Sequence, residues 1–231
     1  MDSIDKILGD TKNGLMISGN SRVKYMPYDM DIALQVVERI GKGIDPRFTL
    51  TENVKEVYKS LIQFFHADPE FNGDLDKGFI LMGPTGTGKT LAMQIMAKYR
   101  TIDDTKFIIN NRLYRMNYDI IDVNRLVNMF MDNSFDGIQV YYNRYLICLD
   151  DIGTEIEQVK HYGNTLDVVS HILAERYAKR LMTFGTTNYP LKTLEQKYDD
   201  RVISRMYALF NFITMKEKDF RKPDLNHFLQ E

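Results

Sequence analysis

Gly78-Phe79-Ile80-Leu81-Met82, followed at once by Gly83-Pro84-Thr85-Gly86-Thr87-Gly88-Lys89-Thr90, is the stretch that decides the fold. The apolar run reads as a buried strand. The residues after it fit G-x-x-x-x-G-K-[ST], a pattern that works only between a strand and a helix, and Lys89 to Tyr99 supplies the helical periodicity. Glycines in such a loop let backbone N–H groups close around phosphate oxygens, and the helix N-terminus adds its partial positive charge. The loop is therefore expected to bind ATP through Gly83, Pro84, Thr85, Gly86, Thr87, Gly88, Lys89 and Thr90. Lys89 should reach the β- and γ-phosphates, and the Thr90 hydroxyl should ligate Mg2+.

Further along, Leu146-Ile147-Cys148-Leu149-Asp150-Asp151 is an apolar strand ending in two carboxylates. Ligands of open α/β sheets bind at the carboxyl edge, so both acids should emerge beside the phosphates. Asp150 is expected to hold magnesium, usually through water, and Asp151 to polarise the attacking water, with Glu155 the next candidate for that role. A third strand ends in Thr186-Thr187-Asn188, and Asn188 reads either as a turn asparagine or as a hydrogen-bonding link between the γ-phosphate and the water. In Asp199-Asp200-Arg201-Val202-Ile203-Ser204-Arg205-Met206, Arg201 and Arg205 share one helix face. That face reads either as solvated or as a pair of cations offered to a phosphate.

Between these motifs short apolar strands alternate with amphipathic helices. Strands are expected at Lys106 to Asn110, Tyr145 to Leu149, Met182 to Thr186 and Phe210 to Thr214, and helices at Val123 to Met131, Thr165 to Ala178 and Asp199 to Met206. Such alternation predicts an α/β fold with a parallel sheet covered on both faces. Ahead of it, Ile32, Ala33, Val36, Val37 and Ile40 form a helical stripe after Asp29 or Asp31, ending at Gly41-Lys42-Gly43. This predicts a small helical module over residues 1–45 and an ATPase domain over 46–231. A further helix, with Thr49 and Glu52 at capping-box spacing, should brace the main domain.

Composition narrows the classes. At 231 residues with 44% hydrophobic and 27% charged, the chain suits one large domain and argues against disorder. No apolar run reaches the roughly 18 residues of a membrane-spanning helix, and the acidic start lacks a signal region, so a cytoplasmic protein is expected. The single cysteine, Cys148, forms no internal disulfide and has no metal-ligand companion, so it reads as a buried strand residue. A formal net charge of -2 leaves nucleic-acid binding to a local basic face.

Taken together, GPTGTGKT, LICLDDIGTE, TTN and RVISRM resemble, in order and spacing, the AAA+ ATPases of the DnaC-like helicase loader and IstB-like transposition helper group. The resemblance spans roughly Phe48 to Arg221. It implies a five-stranded parallel sheet of order 5-1-4-3-2 without a C-terminal helical lid. It also implies that Arg205 is an arginine finger reaching a neighbouring subunit's γ-phosphate, that Arg201 is its companion, and that Arg221 stands where a sensor 2 arginine would. The Asp150-Asp151 pair departs from the commoner Asp-Glu pair, so slow turnover is expected. A homo-oligomer follows from the trans finger.

Arg112 to Arg144 mixes Arg112, Arg115, Arg125 and Arg144 with Tyr114, Tyr118, Tyr141 and Tyr142. Cations that track a phosphate backbone beside aromatic faces that stack on bases suit single-stranded DNA, with Arg125, Tyr141 and Arg144 as candidate contacts. Core aromatics with solvated arginines are the other reading. The resemblance implies a helicase loader whose N-terminal module grips a replicative helicase. A transposition helper acting with a transposase, and an ATP-switched scaffold with negligible turnover, are the alternatives.

Overall fold

The computed structural model of the protein describes residues 22–23, 26–102, 106–109, 112–115, 117–156, 159–161 and 164–216. In chain order the elements begin with β1 (Arg22–Val23), α1 (Met30–Ile44), α2 (Glu52–Phe65), β2 (Gly78–Met82) and α3 (Lys89–Ile102). Next come β3 (Lys106–Ile109), β4 (Arg112–Arg115), β5 (Asp119–Asp122), α4 (Val123–Asn143) and β6 (Ile147–Asp150). The remainder is β7 (Val159–His161), β8 (Asn164–Leu166), α5 (Val168–Ala178), β9 (Thr183–Thr187), α6 (Leu191–Lys197), α7 (Asp200–Leu209) and β10 (Phe210–Thr214).

One parallel sheet runs in the order β10-β2-β9-β6-β5. This is the 5-1-4-3-2 order that the resemblance implies, with one strand exchanged. Of Lys106 to Asn110, expected as the second core strand, Lys106–Ile109 lies outside the sheet and pairs antiparallel with β4 and β1 in a separate sheet, and Asn110 is outside the described residues. The edge position belongs to Asp119–Asp122, which bonds β6 alone. An edge strand tolerates charge better than an interior one. That is why Asp-Ile-Ile-Asp makes the strand although Phe107-Ile108-Ile109 has the more strand-like sequence.

Side chains alternate across each strand, so the sheet feeds two apolar layers. Phe79, Leu81, Cys148 and Phe184 face α1, α2 and α3, whereas Ile80, Ile147 and Leu149 face α4, α5 and α7. Phe79 and Phe184 stack with ring centroids 4.6 Å apart. Cys148 is buried, and burial pushes its thiol pKa well up, which suits the inert strand residue expected.

Helix α1 is capped by Asp29, whose Oδ1 accepts from the Ile32 amide at 3.0 Å. It buries Ala33, Leu34 and Val37 against α2 and α3, while Ile32, expected inward, is 60% exposed. The expected boundary at residue 45 thus falls inside one hydrophobic cluster. Helix α2 starts at Glu52 with Thr51 as its N-cap, two residues later than the Thr49 capping box predicts, because the Thr51 amide folds back onto the Thr49 carbonyl at 3.1 Å. Residues 1–21 lie outside the described residues.

Helix α4 runs past its expected end at Met131 but breaks at Ser134, whose φ of 56° is left-handed. Gly137 then returns so close to the first segment that a Cβ would lie 2.3 Å from the Met129 carbonyl oxygen, so glycine is required there. The C-terminal end of α4 is closed by Arg176 of α5, a buried guanidinium. Its Nη1 donates to the carbonyls of Tyr141 and Arg144, its Nη2 to those of Tyr145 and Met182, and its Nε to Thr183 Oγ1. Burial pulls its pKa down to about 9, which still leaves it charged at neutral pH. Helix α5 begins at Val168, capped by Asp167, while Thr165, expected as helical, lies in β8. Among the described residues no helix is long and apolar enough to cross a membrane.

Candidate nucleotide site

Because β2, β6 and β9 run parallel, their carboxyl ends open on one edge of the sheet, where the loop from Gly83 to Gly88 leads into α3. Gly86 and Gly88 have φ of 86° and 87°, values that favour glycine. A Cβ on Gly83 would lie 2.4 Å from the Met215 carbonyl oxygen, so the start of the loop must also be glycine. Thr87 is buried and donates to the Pro84 carbonyl at 3.0 Å. Thr85 to Thr90 line a cavity of about 640 Å³, within the range of small-molecule sites.

Lys89 is only 5% exposed. Its Nζ donates to the Gly83 carbonyl at 2.8 Å, the Pro84 carbonyl at 2.9 Å and Asn188 Oδ1 at 2.7 Å. Asn188 Nδ2 in turn donates to Asp151 Oδ1 at 3.0 Å. The structure thus brings together the expected phosphate-binding lysine, the asparagine and the water-polarising carboxylate, all three on the cavity wall.

Thr90 and Asp150 also meet, the hydroxyl donating to the carboxylate at 3.0 Å. Burial raises the Asp150 pKa, while hydrogen bonds from the Thr186 and Thr90 hydroxyls act in the opposite direction. This hydroxyl and carboxylate suit Mg2+, which takes one or two protein oxygens and leaves its other positions to phosphates and water. Among the described residues no cluster of three or more His, Cys, Asp or Glu could hold a metal ion.

Two contributors escape the motif reading. Thr186 donates to Asp150 Oδ1 at 2.6 Å and accepts from the Asp151 amide at 2.9 Å, so one hydroxyl orients both acids. Its sequence signal is the Thr-Thr-Asn run at the end of β9. The segment Ile44 to Thr49, which spans the expected boundary at residue 45, lines the cavity.

Glu155 does not line this cavity. It is buried, with Oε2 accepting from the Gly153 amide at 2.8 Å and Oε1 from the Tyr198 hydroxyl. Burial raises its pKa against those two hydrogen bonds.

Arg201 is exposed and Arg205 half-buried on α7, and neither lines the cavity of its own chain. Arg221 lies outside the described residues. Arg125 and Tyr141 share a shallow depression with Lys98 and Asp119, and Arg144 is ion-paired with that Asp119. Tyr118, by contrast, is a core residue: its ring packs on Phe65 and Phe184, and its hydroxyl donates to the Met93 carbonyl at 2.6 Å. Tyr142 packs edge-on to His171, with Lys179 Nζ 4.6 Å from its ring centroid. Arg112, Tyr114 and Arg115 lie on β4, outside the central sheet.

The sheet order, the loop between β2 and α3, and the paired acids at the end of β6 give the domain the fold of AAA+ P-loop structures. The sequence matches no family profile and no curated protein. Solved structures do share the fold. The DnaC helicase loader aligns with a TM-score of 0.53 at 19% identity, over 74% of this chain and 95% of its own. DnaI aligns with a TM-score of 0.52 at 20% identity, over 72% of this chain and 82% of its own. A protein provisionally described as a primosome component of Streptococcus pyogenes serotype M3 gives 0.55 at 20% identity, over 74% and 85%. At these identities the likeness is one of fold.

Proposed function

We propose that this chain is a magnesium-dependent ATPase of DNA replication that works as a helicase loader. The carrying observation is the hydrogen-bond chain from Lys89 through Asn188 to Asp151, set in a nucleotide-sized cavity of a domain with the fold of the DnaC loader. In this reading Lys89 exchanges the Gly83 and Pro84 carbonyls for the β- and γ-phosphates. Asn188 holds the γ-phosphate and the attacking water together, and Asp151 takes that water's proton. Thr90 and Asp150 hold magnesium, whose contribution when bound is to neutralise phosphate charge.

The shorter side chain of Asp151, compared with a glutamate, should hold the attacking water less well and so slow turnover. Arg205 and its companion Arg201 complete the ATP site of a neighbouring subunit in a homo-oligomer, and Arg221 serves as the sensor 2 cation. Single-stranded DNA is engaged by Arg125, Tyr141 and Arg144, and a replicative helicase in the cytoplasm is the protein partner. Since α1 is committed to the core, the helicase contact falls to the segment ahead of it.

Titration calorimetry and steady-state turnover with Mg2+ and ATP test this reading. The wild-type chain should bind and slowly hydrolyse ATP, and Lys89→Ala should lose at least about tenfold in affinity, because a charge-assisted contact to phosphate is removed. Equal affinity in the two proteins would overturn the nucleotide site. Capture of purified replicative helicase by the full chain, with loss on deletion of residues 1–21, tests the partner. Retention after deletion would move the contact onto the ATPase body.

A further inference from the structure

The nucleotide reading uses Asp151 on one side of the domain and Arg205 on α7, but leaves unexplained the buried carboxylate between them. Glu155 is 3% exposed and faces neither the cavity nor solvent. Burying an acid that touches no ligand costs stability unless its oxygens are bonded. Here both are bonded, and to two functional elements.

One oxygen holds the turn after β6. In that turn Asp151 and Gly153 both have left-handed φ, 62° and 98°. The turn is pinned to β9 by the Ile152 amide, which donates to the Thr186 carbonyl at 2.8 Å, and closed by the Gly153 amide on Glu155. The other oxygen accepts from Tyr198, the residue that closes α6. Lys197 Nζ adds a third bond, to the Glu155 carbonyl at 3.0 Å. Next to Tyr198 is Asp199, the N-cap of α7, whose Oδ1 accepts from the Val202 amide at 2.8 Å. A continuous bonded path therefore runs from the Asp151 turn to the first turn of the helix that bears Arg201 and Arg205.

We propose that Glu155 and Tyr198 are positioning residues: a buried strut that sets α7 according to the state of the Asp151 turn, so each subunit's own nucleotide adjusts the arginines it offers to a neighbour. The inference rests on the nucleotide-site reading above. Its physical warrant is a bonded path from the turn that carries Asp151 to the helix that carries Arg205, not proximity alone. Tyr198 suits the role because its ring is buried and its hydroxyl has an acceptor within the same packed region.

The test is hydrogen exchange on the full chain with and without Mg2+ and a non-hydrolysable ATP analogue, for wild type, Tyr198→Phe and Glu155→Gln. In the wild type, nucleotide should protect both 151–155 and 199–206. Tyr198→Phe should keep the first and lose the second, and its kcat should fall by about tenfold with KM unchanged, the scale of lost outer-shell positioning. Glu155→Gln keeps an acceptor for Gly153 and offers an amide to the tyrosine oxygen, so it should retain most of both responses. Protection of 199–206 in Tyr198→Phe equal to wild type, with kcat unchanged, would overturn the strut while sparing the nucleotide site. No protection of 151–155 in the wild type would overturn the nucleotide site and the strut with it.

Discussion

Thr90 and Asp150, 60 positions apart, are hydrogen bonded, the threonine hydroxyl lying 3.0 and 3.1 Å from the two carboxylate oxygens. One comes from the first turn of α3 and the other from the end of β6, so the parallel sheet alone brings them together. Thr186 holds the same carboxylate from the other side. Thr186→Val keeps the shape and removes the donor. It should weaken Mg2+-dependent nucleotide binding by about tenfold, the usual cost of losing an outer-shell partner, and leave binding in EDTA unchanged. Parallel titrations with and without Mg2+ check this, and an equal loss in both would assign Thr186 to the phosphate pocket instead.

Glu155 makes a separate prediction in pH. Its pKa is raised in the folded chain by burial, against the hydrogen bonds from Tyr198 and Gly153 and the charge of Lys197. Between the ordinary glutamate range and the raised value, the native state binds more protons than the unfolded one, so stability falls as pH rises through that window. Above the raised value the loss is complete. Glu155→Gln cannot ionise, so its melting temperature minus that of wild type should climb with pH across the window and then level off. A difference that is flat with pH would show that this carboxyl titrates alike in both states.

Arg125 and Tyr141 meet beside the β5 edge, whereas Tyr118 turns into the core. Arg125→Ala with Tyr141→Ala should therefore weaken single-stranded DNA binding, by roughly 1 to 3 kcal/mol for the lost stacked base, and leave nucleotide affinity alone. Fluorescence anisotropy at one fixed salt concentration measures this, since backbone contacts vary steeply with ionic strength. Unchanged affinity would return both side chains to the role of a solvated helix face.

The limits of the sequence are physical and local. Gly83 to Thr90 and Leu146 to Asp151 were legible because phosphate chemistry restricts residue types at fixed spacing, and the parallel fold needs only strand and helix periods around them. The edge strand is hidden in sequence because Asp119–Asp122 has two apolar residues between two acids, and edge position is a tertiary property. Arg176 reads in sequence as one more helix cation. Only the fold reveals that its donors tie the end of α4 to the start of β9 through four backbone carbonyls. Glu155 shows the same limit: as an acid near Asp151 it looks catalytic, and only its burial against Tyr198 removes it from the cavity.

Arg205 offers the sharpest test of assembly. It lies on α7 with Val202, Ile203 and Met206 turned inward, and it does not line the cavity of its own chain. In the proposed reading this cation reaches a γ-phosphate that a second copy brings. Arg205→Ala should then bind ATP as wild type does, yet hydrolyse it about 10³-fold more slowly, the effect of removing a transition-state charge partner. Lys89→Ala has the opposite defect, an empty site with an intact finger. Mixing the two should restore turnover at interfaces where a finger from the lysine variant meets a site from the arginine variant. Activity should peak at intermediate ratios and fall to each variant's own low rate at either end. A mixture that co-assembles by light scattering but stays inactive at every ratio would place Arg205 outside the neighbour's site and remove the requirement for an oligomer in hydrolysis.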